Sequence, residues 1–511
     1  MLSKLYGGSV VGLDGLLIEV EVDLITRKLP NFTIVGLPAK SIDEAKERVR
    51  SAIRNSGFDF PEHKITVNLA PADLPKEGGG FDLPIAVGIL SSAGVIDKSA
   101  VLDSMFVGEL LLDGTVKKVN GVLPLLDIAE KKKIKQVFVP VENSKEAVFF
   151  KNIKVYPVAN LISLVLHFQN IKQLRPYEGS LKDLLESNDE IVEYDFSYIS
   201  GQDKAKRALE ISAAGFHNIH LYGSPGTGKT MLARAFTTIL PPLDKEEMLE
   251  VSRIYSTVGL LPESGFVDKR PFRNPHHTTS RVGLIGGGSK PKPGEITLAH
   301  RGVLFLDEFP EFPRSVMEAL RQPMEDGFVV VSRANGFAKF PSRFILLAAS
   351  NPCPCGFYGH PKKSCICSSS AILKYKRRIS GPIIDRIDLN VEVFDLPVEK
   401  LLSSGSGEKS KSIQQRVIKA LEIQSYRFKK EKIKFNSEMS SDMVKKYCNL
   451  EAEAESLLKS AVDKLNLSPR SYFRVIKVSR TIADLAGSDS VKTDHIAEAL
   501  QYRFSEQFGN M

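Results

Sequence analysis

With 511 residues, 42% of them hydrophobic and 25% charged, the chain has enough apolar surface for more than one core, which excludes an intrinsically disordered protein. The N-terminal run MLSKLYGGSVVGLDGLLIEVEV interrupts its apolar residues with glycines and acids, so neither a signal peptide nor a membrane span is predicted and a cytoplasmic protein is expected. A formal charge of +8 suits a polyanionic partner without requiring one, and five cysteines do not make a disulfide framework.

At about 100 to 200 residues per domain, this length predicts about three units. Residues 1–172 alternate short β-branched runs, such as GLLIEVEVDL and KITVNLA, with helical stretches. One of these, SIDEAKERVRSAIRNSG, should begin with a capping box at Ser41 and Glu44 and end at Gly57. This pattern predicts an α+β domain. A polar, acidic linker is expected at 173–195. Over 196–397 the short apolar runs NIHLYG, GVLFLDE and FILLAAS are separated by helical segments, which predicts a parallel sheet covered on both faces, an α/β core. A Gly/Ser-rich linker is expected at 398–411, and helical periodicity over 412–511 predicts a small helical domain.

The core carries the chemistry. GSPGTGKT fits G-x-x-x-x-G-K-[ST] over Gly223, Ser224, Pro225, Gly226, Thr227, Gly228, Lys229 and Thr230, after an apolar strand and before a helix. Glycines there let backbone N–H groups wrap the phosphates of ATP; Lys229 is expected on the β- and γ-phosphates and Thr230 on Mg²⁺. GVLFLDE brings Asp307 and Glu308 to a strand end. Two such carboxylates are costly unless a cation and a water use them, so Asp307 is expected to ligate Mg²⁺ and Glu308 to polarise the attacking water. After FILLAAS, Asn351 ends another strand, where its amide can orient that water.

These residues lie within longer stretches, including VNLAPADLPKEGGGFDLPIAVGIL, ISGQDKAKRALEISAAG, RPFRNPHHTTS, PGEITLAHRGVLFLDEFPEF, NPCPCG, ISGPIIDRIDL and SPRSYFRVIKVSRTIADL. Almost end to end, the sequence resembles the YifB/ComM family of magnesium-chelatase-like AAA+ ATPases. The resemblance implies that Arg386 is a finger reaching the next subunit's ATP and that Arg470 is the sensor-2 arginine of the lid. A finger supplied in trans implies a homo-oligomeric ring, a hexamer in this clade, and the family implies a DNA helicase driving branch migration in recombination of incoming DNA. The N-terminal domain also resembles the ribosomal-S5-like proteolytic domain of Lon. Where Lon has its serine and lysine this chain has Gly80 and Leu123, so proteolysis is not expected.

The residues themselves add three expectations. A glycine-rich loop with Lys290 and Lys292, and a hairpin around ANG with Arg333, Lys339 and Arg343, are basic segments where the related ATPases insert loops into the ring channel. They suit non-specific contact with single-stranded or branched DNA. A magnesium-chelatase-like motor acting on a protein partner is the alternative. Cys353, Cys355, Cys365 and Cys367 form C-x-C-x₉-C-x-C, four soft ligands for tetrahedral Zn²⁺, with His360 a substitute ligand and free thiols or a redox switch the alternatives. In RPFRNPHHTTS, His276 and His277 read as neighbours in a strand and should point to opposite faces, which favours a structural element coupled to ATP over a metal site.

Overall fold

The computed structural model describes residues 2–25, 29–36, 39–72, 76, 79–186, 193–288, 291–333, 336–379, 381–395 and 407–503. Alternation in DGLLIEVEVDLI and KITVNLA places every second residue in the core, as the two-residue period of a strand requires. These strands belong to a seven-stranded sheet ordered Asn31–Val35, Lys64–Ala70, Asp14–Ile25, Leu2–Val11, Ser104–Phe106, Gln136–Pro140 and Lys154–Val158. The wholly buried helix Asp82–Ser92 packs on its Leu2–Val11 and Asp14–Ile25 strands. The N-terminal region is therefore α+β. Its first helix runs Ala39–Asn55, so Ser41 lies inside the helix and not at its cap. The expected stop holds, since Gly57 adopts φ +82° and donates to the Arg54 carbonyl.

The second sheet has five strands, all parallel, in the order Phe272–Arg273, Val303–Leu306, Ile345–Ser350, Ile219–Tyr222 and Leu389–Glu392. The runs VLFL and ILLAAS are buried at every position, the mark of strands covered on both faces. His220 ties three strands together: Nε2 meets Ser350 Oγ at 2.8 Å and Nδ1 meets Asn390 Oδ1 at 3.2 Å. Burial pushes its imidazole down to about 4, so it stays neutral and serves the sheet.

The C-terminal helices Ser410–Arg427, Ala452–Leu465, Pro469–Leu485 and Thr493–Gln501 share one apolar cluster with this sheet. Ser410 Oγ accepts from the Phe196 amide at 2.9 Å, so the first of these helices begins against the start of the core. Within 173–195 there is a helix, Leu181–Glu186, whose Leu181 and Leu184 pack on the N-terminal region. The N-terminal region docks on helix Lys245–Val258 through an apolar cluster that includes Leu126, Phe149, Met248 and Phe266. At its edge the buried Glu146 accepts from Ser256 Oγ at 2.7 Å.

Candidate functional site

Strand order builds the site. Tyr222 pairs with Ser350, and Leu306 with Ala348, so three neighbouring strands release their next residues along one edge, the carboxyl edge where open α/β sheets bind ligands. From the middle strand comes Asn351. On one side is the loop 223–228, and on the other are Asp307 and Glu308.

The loop turns into helix Lys229–Phe236 through Gly226 and Gly228, at φ +84° and +90°, values that glycine adopts freely. Lys229 is buried, and its ammonium donates to the carbonyls of Gly223 at 2.7 Å and Ser224 at 2.8 Å and to Asn351 Oδ1 at 3.3 Å. Burial pulls it down to about 8, against the raising influence of Asp307 and Asp395. Thr230 Oγ1 donates to Asp307 Oδ2 at 2.9 Å, so hydroxyl and carboxylate converge as a ligand pair for a hard cation. The other Asp307 oxygen accepts from the Glu308 amide at 2.9 Å. Glu308 itself has φ +51° and an exposed carboxylate 3.3 Å from His277 Nδ1.

That contact was not legible in the sequence. His276 and His277 follow the two-residue strand Phe272–Arg273 but lie in a turn, their ring centroids 4.1 Å apart. The expectation of opposite faces is therefore corrected: Asn274 and Pro275 end the strand before the pair is reached.

Arg386 and Arg470 stand elsewhere. Arg386 follows the short helix Gly381–Ile384 and precedes the strand Leu389–Glu392. Its carbonyl accepts from Asn218 Nδ2 at 3.0 Å, just before the strand Ile219–Tyr222. The loop 223–228 leaves the far end of that strand, about 13 Å away for four residues. Arg386 is buried, bonded to the Pro382 carbonyl at 2.5 Å and paired with Glu325, and its Nε has no partner among the described residues. Arg470, in the first turn of helix Pro469–Leu485, is mostly exposed and reaches the same Glu325 at 3.4 Å. Glu325, in helix Arg321–Asp326, is thus a shared counter-ion that sequence reasoning missed. Asp388 anchors the segment, accepting from the Asn218 amide at 3.0 Å and from Arg474 at 2.7 Å. Burial opposes its charge, but Arg474 and His217 hold its carboxyl well below the usual range.

The expected hairpin is present: Phe328–Arg333 pairs antiparallel with Gly336–Pro341, and Arg333 stands opposite Gly336. Phe337 is 77% exposed near the tip, and the Lys339 ammonium lies 3.7 Å from the Phe328 ring centroid. The side chain of Arg333, like Lys290, lies outside the described residues. Lys292 is exposed in a second small hairpin, opposite Gly287. Arg343 leaves this basic group, since it pairs with Glu438 at 2.7 Å.

The four cysteines converge. All four sulfurs lie within 4.8 Å of one another, and Cys353 to Cys355, Cys353 to Cys365 and Cys355 to Cys365 measure 3.4, 3.7 and 3.6 Å. A tetrahedron of sulfurs at Zn–S distances of about 2.3 Å has edges of about 3.8 Å, so the donor set fits one such ion. The amides of Tyr358 and Cys367 point at the sulfurs of Cys353 and Cys365. His360 is not a fifth donor: its Nδ1 accepts from the amides of Lys362 and Lys363, and its Nε2 lies 2.5 Å from Asp395. Gly80 stands in a 3-10 turn, and Leu123 is fully buried in helix Val122–Lys131. No helix among the described residues is long and apolar enough to cross a membrane.

Comparison with known proteins agrees with this layout. Residues 195–401 match the family described as magnesium chelatase, subunit ChlI; residues 20–143 match subunit ChlI of Mg-chelatase; residues 407–503 match its C-terminal family. The chain is 43% identical to the competence protein ComM of Haemophilus influenzae over 98% of this chain and 97% of that one. It is 40% identical to YifB of Escherichia coli over the same shares. To the magnesium-chelatase 38 kDa subunit of Rhodobacter capsulatus it is 28% identical, over 31% of this chain and 50% of that one. The chain belongs to the YifB/ComM family of magnesium-chelatase-like AAA+ ATPases.

Proposed function

We propose that the protein is a ring-forming Mg-ATP-hydrolysing motor that translocates on DNA and promotes branch migration during recombination of incoming DNA. The observation that carries the motor reading is the division of one chemical set between two ends of a sheet. Lys229, Thr230, Asp307, Glu308 and Asn351 gather at the carboxyl edge, while Arg386 and Arg470 are collected on Glu325 near the other end.

In this reading the amides of 223–228 and the Lys229 ammonium hold the phosphates, and Thr230 and Asp307 hold Mg²⁺. Bound magnesium supplies charge neutralisation to the transferred phosphoryl group. Glu308 accepts a hydrogen bond from the attacking water and polarises it, and Asn351 orients that water. Arg386 is too far from its own cradle and serves the next subunit's nucleotide. Arg470 shares its counter-ion, which supports the same trans role. Four thiolates, from Cys353, Cys355, Cys365 and Cys367, hold one Zn²⁺.

Because Lys229 stands near 8 before phosphate arrives, nucleotide binding takes up a proton. ATP affinity should fall about tenfold between pH 7 and pH 9, as the ammonium needed for binding is lost. Fluorescent-nucleotide titrations across that range check this, and Lys229→Met should flatten the profile.

DNA as the track is supported by the kinship with a competence protein and by the hairpin strand that carries the exposed Phe337 and, two residues on, Lys339, whose ammonium lies over Phe328; aromatic and cationic groups of this kind grip single strands without reading sequence. Forked DNA should stimulate ATP hydrolysis in a salt-sensitive way. Lys339→Ala should cut the stimulated rate and lower the salt slope of DNA binding by about one. Hydrolysis indifferent to DNA, with no binding at low salt, would leave the alternative, a motor acting on a protein partner, which the chelatase-subunit matches favour.

A further inference from the structure

The cysteine loop does more than stand near the site. It begins at Asn351, whose side chain accepts from the Lys229 ammonium, and two residues later Cys353 is fully buried. Gly356 then donates its amide to the Cys353 carbonyl at 2.9 Å and adopts φ +83°. A Cβ at Gly356 would sit 2.4 Å from Cγ and 2.5 Å from Cδ of Pro225. The loop backbone therefore rests directly on the phosphate cradle, at a spot where only glycine leaves room. Farther along, His360 meets Asp395, beyond the strand Leu389–Glu392 on the other flank of Ile219–Tyr222. The segment 351–368 contains no regular helix or strand, so its shape rests on the convergence of its sulfurs together with a few contacts such as that of His360 with Asp395.

Building on the zinc reading above, we propose that the four-cysteine metal centre is a strut for the phosphate loop: metal held by Cys353, Cys355, Cys365 and Cys367 presses Gly356 against Pro225 and thereby sets the affinity for ATP. Metal closes a loop that is otherwise free to spread, and closure restricts the positions open to Pro225 and to the amides beside it. Lys229 feels the same loop through Asn351. The coupling is reciprocal: a metal that tightens ATP binding by some factor is itself tightened by ATP by that factor.

The test begins with metal content. Freshly purified protein should hold one zinc per chain, and cobalt in its place should give the absorption bands of a tetrahedral tetrathiolate. A full chain stripped with a chelator under reducing conditions should bind fluorescent ATP at least tenfold more weakly, and added Zn²⁺ should restore the affinity. Gly356→Ala, which keeps all four thiols, should retain zinc and still lose ATP affinity, and this variant decides the matter if the stripped chain proves unfolded by its melting curve. No zinc after purification or reconstitution, with no cobalt bands, defeats the metal reading and the strut with it. One zinc per chain, with ATP affinity within twofold of normal both after stripping and in Gly356→Ala, overturns the strut alone.

Discussion

Arg386→Ala lowers the rate of ATP hydrolysis by the assembled protein by about 10³-fold or more while ATP still binds to the same chain. Binding survives because the contacts of the cradle are local: Lys229 touches Gly223, Ser224 and Asn351, and Arg386 shares none of them. Hydrolysis does not, because a loose phosphoryl-transfer transition state spreads charge over oxygens that a guanidinium neutralises. Arg386→Lys should fail nearly as badly, since a flexible ammonium cannot reproduce the planar fork. Removing a buried guanidinium also strips Glu325 of a partner, but that carboxylate is 43% exposed and keeps Arg470, so water limits the loss of stability. Steady-state kinetics alongside a melting curve separates a chemical defect from a folding one.

Glu308→Gln lowers hydrolysis by about 10² to 10⁴-fold, the usual contribution of a positioned general base, and traps bound nucleotide. The amide occupies the same space and leaves Thr230 and Asp307 joined, so the loss falls on turnover and not on affinity. A single-turnover measurement with a parallel binding titration checks it, and turnover near the normal rate would remove Glu308 from its role. His277 touches the Glu308 carboxylate, its Nδ1 3.3 Å away.

Much of this was legible from local pattern. A glycine-rich loop between an apolar strand and a helix declares itself because backbone geometry demands glycine there, as the positive φ of Gly226 and Gly228 bears out. Asp307 and Glu308 follow a run too apolar to be anything but a buried strand, and the ANG turn between alternating runs marks a hairpin. Long-range pairing was not legible. Nothing in MEDG distinguishes Glu325 from any acid at a helix end, and its partners lie 61 and 145 residues away (Arg386 and Arg470). The cysteine spacing announces a ligand set, but the rest of Gly356 on Pro225 arises only when the Ile219–Tyr222 and Ile345–Ser350 strands lie side by side. The histidine pair misled because its residue types suit a strand that proline had already ended.

Two chains that each fail for a different reason give the most direct measurement. Co-expressed and co-purified in equal amounts, Lys229→Ala and Arg386→Ala chains should regain hydrolysis, up to about a quarter of the normal rate in a randomly mixed head-to-tail ring, because some junctions then pair an intact lysine with an intact arginine. Mixed assemblies as inactive as their parents would contradict a pocket built by two neighbours.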